Sequence, residues 1–228
     1  MLEILTLATV TSPSRSRITA IAEKTLKRRK KEGYHHGDLR AELVAATREL
    51  VETKGPDKFS VSEACRIAGV STAAPYRHFE TKTDMLFAVA IDGMERQRIL
   101  MEETVRKHTR GSAEAIAALG DLYVAFAVAE EGVFRLAFGL TRGHDQREDL
   151  PGAGKRCFGV VMEEVRLYLR TPAIDQEVID RAFSLWTMVH GMSFLIIDKK
   201  LAVMDLPIDT AALIRENTVR ILGPRPAA

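Results

Sequence analysis

The chain has 228 residues, of which 46% are hydrophobic and 28% charged, with 6% aromatic residues, 15 glycines and 8 prolines. That balance can bury a sizeable core, in one large domain or in one small and one larger domain, and it excludes a collagenous, disordered or disulfide-scaffold class. The formal charge of +2 is unevenly placed: residues 1–80 carry 14 Lys and Arg against 10 Asp and Glu, and the remainder 19 against 21.

The apolar opening from Met1 to Ala8 contains Glu3, and its basic residues follow rather than precede it, so it does not read as a signal peptide. The run Lys24 to Lys31 holds six cations in eight residues. Such a cluster attracts phosphate by releasing counterions, or it is simply a solvated tail; both readings stay open. After it, Gly37-Asp38 starts a helical pattern with Leu39, Leu43, Ala46, Leu50 and Val51 on one face, closing at Gly55-Pro56.

Ser60 and Glu63 stand three apart, the capping-box arrangement that starts a short second helix. Gly69 ends it, because a residue without a Cβ takes the left-handed turn, and Val70 packs back on the core. Ser71 offers the next cap, and Thr72 to Phe79 form a third short helix in which Pro75 imposes a tight or distorted first turn. Thr81 to Asp84 cap a long helix reaching roughly to Lys107, long enough to bridge two bodies of the protein. Further helices follow at about 112–129, 133–141, 153–170, 174–200 and 209–222, with no convincing strand or internal repeat.

Cap, helix, Gly, cap, helix is the grammar of a helix-turn-helix, whose second helix enters the major groove while the first and its caps grip phosphates. Small side chains at Thr72, Ala73 and Ala74 let that helix come close to the bases. Tyr76 and His78 can donate to phosphates, and Lys82 adds a cation beside free helix N–H groups. The plainer alternative is a three-helix bundle with Tyr76 and Phe79 in its core and His78 merely exposed.

These residues resemble a known family. Phe59 to Glu63, Ala68 to Ser71, Tyr76 to Phe79, Lys82 and Leu86 look like the DNA-binding domain of TetR/AcrR regulators. Gly33 to Arg40, Ala73 to Tyr76 and the later Trp186-Thr187-Met188-Val189-His190-Gly191 are similar to the branch with a C-terminal Trp-x-x-x-His-Gly signature. The resemblance runs from about residue 33 to 222; Thr72 departs from the Lys of many members, Cys65 from the usual Ala, and Ala64 from a larger aliphatic.

The expected architecture is all-α with about nine helices: a basic, flexible extension at 1–32, a three-helix DNA-binding domain at 33–80, and a larger helical regulatory and dimerisation domain at 81–228. The resemblance implies operator contacts from Ser60, Ser62, Thr72, Ala73, Ala74, Tyr76, His78 and Lys82. It also implies a homodimer on a palindromic double-stranded operator, with half-sites about one helical turn apart. The dimer has separate support, since residues 182–197 carry no charge and must be covered on all sides. That stretch is too short to span a bilayer and is expected as a buried helix. Leu213, Ile214, Val219, Ile221 and Leu222 are candidates to complete a four-helix interface, with Gly191 allowing close approach.

Trp186 and His190 share a helix face, either lining an effector cavity or serving as packing residues with a satisfied core histidine. Met94, Tyr123, Phe126, Phe134, Phe138, Phe158 and Met162 are the other cavity candidates, on stripes that also suit a plain core. Such a lining favours an uncharged or amphipathic effector. The two cysteines, Cys65 and Cys157, have no CxxC partner, the histidines are scattered, and no phosphate loop or Ser/His/Asp set is present. No metal, no cofactor and no catalysis are therefore expected, and a cytoplasmic location fits. The leading expectation is a repressor released by a small molecule; the rivals are a DNA-binding regulator without an effector and a helical scaffold that no longer binds DNA.

Overall fold

A computed structural model of the protein describes residues 38–139, 149–204 and 208–226. The extension at 1–32 with its basic run, and the opening from Gly33 to Gly37, lie outside the described residues. Nine α-helices and one 3-10 turn make up the described structure, with no strand among the described residues.

The first helix, α1 (Leu39–Lys54), starts where Asp38 accepts a hydrogen bond from the Ala41 N–H at 3.1 Å and stops at Gly55, φ 85°. Helix α2 (Val61–Ala68) starts at Ser60, whose Oγ accepts from the Glu63 N–H at 3.2 Å, and ends at left-handed Gly69, φ 69°. Helix α3 (Lys82–Val105) opens on a complete capping box: the Thr81 N–H donates to Asp84 at 2.8 Å, and the Asp84 N–H to Thr81 at 3.2 Å. Each start follows from a capping side chain and the first two ends from a glycine at positive φ, so local chemistry is enough to place them.

The larger helical part comprises α4 (Ala113–Ala129), α5 (Glu131–Gly139), α6 (Asp149–Leu169), α7 (Gln176–Ile197), the short α8 (Lys200–Val203) and α9 (Thr210–Leu222). Helix α6 begins four residues before the expected 153, because Pro151 falls in its first turn, where the missing N–H has no intrahelical partner to lose. Helix α7 stops three residues before the expected 200: Asp198 is its cap and Lys199 takes φ 56° before the chain restarts as α8.

The core of α1, α2 and Phe79 continues without a break into Met85 to Ala90 of α3, Val133, Leu136 and Ala137 of α5, and Leu150 of α6. The other half of α3 belongs elsewhere, with Met101 and Val105 packing on Leu119 of α4. One continuous helix therefore contributes to both hydrophobic bodies. On α9, Ile214 and Leu222 are buried within the chain itself, which corrects their expected place on a partner-facing surface; Val219 is exposed. The inward residues lie at i and i+8 of the helix and so share its core-facing side.

Candidate DNA interface and effector cavity

The segment after α2 folds as the helix-turn-helix requires, with one difference. The Val70 N–H donates to the Cys65 carbonyl at 2.9 Å, closing α2 and turning the chain. The expected third helix at 72–79 is instead a turn followed by a 3-10 helix at Pro75–Arg77, capped at Ala74 with no side-chain hydrogen bond, so Ser71 does not act as its cap. Proline supplies the reason. An α-helix starting at Ser71 needs the residue-75 N–H to reach the Ser71 carbonyl, and that carbonyl accepts from the Ala74 N–H at 3.0 Å instead.

Thr72, Ala73, Tyr76, Arg77 and His78 are exposed on this segment, Tyr76 at 63%, while Pro75 and Phe79 are buried. The bundle alternative with Tyr76 in the core is thereby excluded. Ala74 is half-buried, Ser62 is exposed, and Ser60 is half-buried and occupied in capping. Lys82 is held in place: its ammonium donates to the Asp57 carbonyl at 3.2 Å and lies 4.6 Å from the Phe59 ring centroid. The small residues and polar tips thus form one protruding turn anchored by Pro75 and Phe79, a shape suited to a groove.

A cavity of about 380 Å³ lies among α3, α4, α6 and α7, with Ala137 and Phe138 of α5 and Thr218 of α9 completing its wall. Of the residues expected to line it, Met94, Tyr123, Phe138, Phe158 and Trp186 do. Phe126, Phe134, Met162 and His190 stand outside the wall. Phe126 is buried, with the Arg96 guanidinium 5.8 Å from its ring centroid. Phe134 is 1% exposed and packs edge-on to Tyr123, ring centroids 5.6 Å apart. Met162 packs against the cluster of Ile116, Val165 and Leu185. A helical stripe marks burial, and only the three-dimensional arrangement separates filled core from open wall.

His190 stands behind the wall, hydrogen-bonded to a wall residue. The Trp186 Nε1–H donates to the Tyr123 hydroxyl at 3.1 Å, and that hydroxyl lies 2.9 Å from His190 Nδ1. Indole is only a donor, so the hydroxyl accepts from Trp186 and meets His190 as donor or acceptor according to the imidazole tautomer. Burial lowers the His190 pKa below the usual 6.5, which favours the neutral ring. The same burial pushes the Tyr123 phenol up. Cys157, on the wall, donates from Sγ to the Met94 carbonyl at 3.1 Å, and its thiol is pushed up to about 11, mainly by burial, leaving it protonated and unreactive.

Two polar features escaped the sequence reading. Gln97 of α3 lines the cavity at 5% exposure, and its Nε2 has no hydrogen-bond partner. The available signal was its position, three residues after Met94 and four before Met101, on an otherwise apolar stripe. The second feature joins the two bodies. Glu52 of α1 accepts from the Gly132 N–H at 3.1 Å and the Val133 N–H at 2.7 Å, so a side chain of the DNA-binding part caps α5. Beside it, Glu130 accepts from Arg96 Nη2 at 2.7 Å and lies 3.7 Å from Arg48 of α1. No local pattern could pair residues some eighty positions apart.

Among the described residues no group of three His, Cys, Asp or Glu is arranged to hold a metal ion, and no helix is long and apolar enough to cross a membrane. Residues 43–89 match the model of the bacterial regulatory proteins of the tetR family, and residues 116–220 that of the tetracyclin repressor-like C-terminal domain. No curated protein matches the sequence. Solved structures do. One, of a protein with unknown function from Rhodococcus sp. RHA1, is 25% identical, with a TM-score of 0.70, over 83% of this chain and 96% of that one. A transcriptional regulator FadR from Bacillus subtilis in complex with stearoyl-CoA is 16% identical, with a TM-score of 0.58, over 80% and 97%. A TetR family transcriptional regulator, PfmR from Thermus thermophilus, is 16% identical, with a TM-score of 0.54, over 79% and 96%. With both halves matched by family models and the helix-turn-helix in place, the chain belongs to the TetR family and is a DNA-binding transcriptional regulator.

Proposed function

We propose that the protein is a homodimeric repressor that leaves a palindromic operator when a small molecule fills the cavity. The observation that carries this reading is the dual use of α3. Met85 to Ala90 sit in the core of the DNA-binding part, while Met94, Gln97 and Met101 of the same helix line the cavity. A ligand that favours one placement of α3 alters where the two DNA-binding parts stand, and the operator accepts one spacing only. A coupling of about 1–3 kcal/mol changes operator affinity about 5- to 150-fold.

The dimer surface in this reading is the exposed ridge of α7, where Ile179, Phe183, Thr187, Gly191 and Leu195 recur every four residues, together with Val219 of α9. An exposed apolar ridge calls for a cover, and the same ridge on a second copy supplies it. A Cβ at Gly191 meets nothing within 4 Å in the single chain, so the space there is left for the partner helix. The protein works by binding rather than catalysis, in the cytoplasm where its DNA lies. Operator contact comes from Ser62, Thr72, Ala73, Ala74, Tyr76, His78 and the backbone around Ser60 and Lys82. The cavity favours an effector over regulation by abundance alone, and the solved complex of a relative with stearoyl-CoA supports a small-molecule effector in this fold.

The test is selection of bound sequences from a random DNA pool by the purified protein at moderate salt. Recovery of a palindrome whose half-sites lie about one helical turn apart is expected. A folded, dimeric protein that enriches no motif refutes operator binding. On the recovered operator, Tyr76→Phe weakens binding to all sequences alike, whereas changes at Thr72 or Ala73 alter which sequence is preferred. Unchanged binding in all three variants moves the DNA surface elsewhere.

A further inference from the structure

We propose that the cavity selects a neutral, largely apolar molecule carrying one carbonyl group, an ester, ketone, lactone or carboxamide, and that Gln97 donates the hydrogen bond that recognises it. This rests on the effector reading above and names the chemistry of its site. Buried polar groups in folded proteins have partners with few exceptions, and an exception that lines an empty space marks where a partner comes from outside. Gln97 is such a residue: it lines the cavity, and its Nε2 is buried without a partner.

Two other polar side chains of the wall are occupied. The Tyr123 hydroxyl accepts from Trp186 and bonds His190, and Cys157 Sγ donates to the Met94 carbonyl. An amide N–H seeks a lone pair, and a carbonyl oxygen supplies one without bringing charge. Charge is disfavoured here. Among the described residues Lys155 is the only charged one on the wall and it is exposed, so none of them serves as counter-ion to an ion stripped of water deeper in the cavity. The remainder of the ligand meets side chains such as Met101, Leu119, Phe138, Phe158 and Leu185, which ask only for apolar surface.

The single tryptophan of the chain, Trp186, is on the cavity wall and reports occupancy by its fluorescence without any DNA present. Methyl octanoate, octanoate and nonane, all small enough for the cavity, are titrated against the full chain and against Gln97→Leu. In the native protein octanoate binds at least about tenfold more weakly than its methyl ester, the cost of an unpaired buried charge. Gln97→Leu weakens the ester about threefold to tenfold, the factor one hydrogen bond contributes, and leaves nonane bound no more weakly. Gln97→Met, unbranched and of similar length, repeats the comparison should the leucine variant fail to fold. The assignment is overturned if a folded variant keeps full ester affinity, if ester and nonane weaken together, if octanoate matches the ester, or if none of the three binds. Ester binding that depends on Gln97 but does not release the operator counts against the repressor mechanism alone. Operator release by a ligand indifferent to Gln97 counts against this assignment alone.

Discussion

At the scale of single residues, the most consequential groups are polar ones that tertiary structure brings together. Glu52 supplies the N-terminal cap of α5 from a different helix, so Glu52→Ala leaves two N–H groups unpaired. We expect a loss of about 0.5–2 kcal/mol, the usual value of a helix cap, read from urea denaturation. His190 predicts a pH dependence. Its folded pKa lies below the unfolded 6.5 because burial favours the neutral ring. The unfolded chain therefore takes up a proton that the native protein refuses, and its contribution to stability declines as pH falls below about 6.5 until the lowered folded pKa is reached. His190→Phe should flatten that part of the stability curve; an unchanged slope would assign it to other groups. At this scale sequence reading named Trp186 and His190 correctly as neighbours on one face, yet could not separate a wall residue from the one behind it, because both are half-buried and both lie on the same stripe.

At the scale of elements, α3 and α5 are the pair on which the proposed signal depends, and their approach is unusually tight. A Cβ at Gly93 of α3 would stand 2.4 Å from Val133 Cγ1 of α5, and one at Gly132 would stand 2.7 Å from the Val51 carbonyl of α1. Gly93→Ala should therefore destabilise by about 1–3 kcal/mol, as overpacking does. In a Val133→Ala background the clash is gone, and the same substitution should become neutral or stabilising through helix propensity. A double-mutant cycle of thermal or denaturant unfolding reads the difference; additive effects would show that the helices are not in this contact. Element boundaries were legible to within a few residues because Asp38, Ser60, Thr81 and Asp209 cap their own helices. The recognition element was legible in place but not in form, since Pro75 converts the expected α-helix into a 3-10 turn.

At the scale of the whole molecule, the exposed ridge of α7 gives a prediction independent of DNA and ligand. Phe183 is 52% exposed and Leu195 47%, on a surface proposed to meet its own copy. Phe183→Glu places a charge on a symmetric interface, where it faces its own copy, and should shift sedimentation from dimer to monomer while the helical content of each chain is kept. Operator affinity should fall with it, because a monomer reads one half-site. A variant that stays dimeric would move the interface to another face.

What the sequence determined by itself is what contacts within a few residues govern: the helices, their ends to within a few residues, and the helix-turn-helix with its Gly69 turn. Hydrogen-bonding side chains and left-handed glycines act locally, so their consequences can be read along the chain. Tertiary structure alone decided which stripe residues border open space, that Ile214 and Leu222 turn inward, that Glu52 caps a helix eighty residues away, and that the Gln97 amide is buried without a partner. Those outcomes depend on how several helices fill, or fail to fill, the volume between them, and packing of that kind is a property of the assembled interior rather than of any segment.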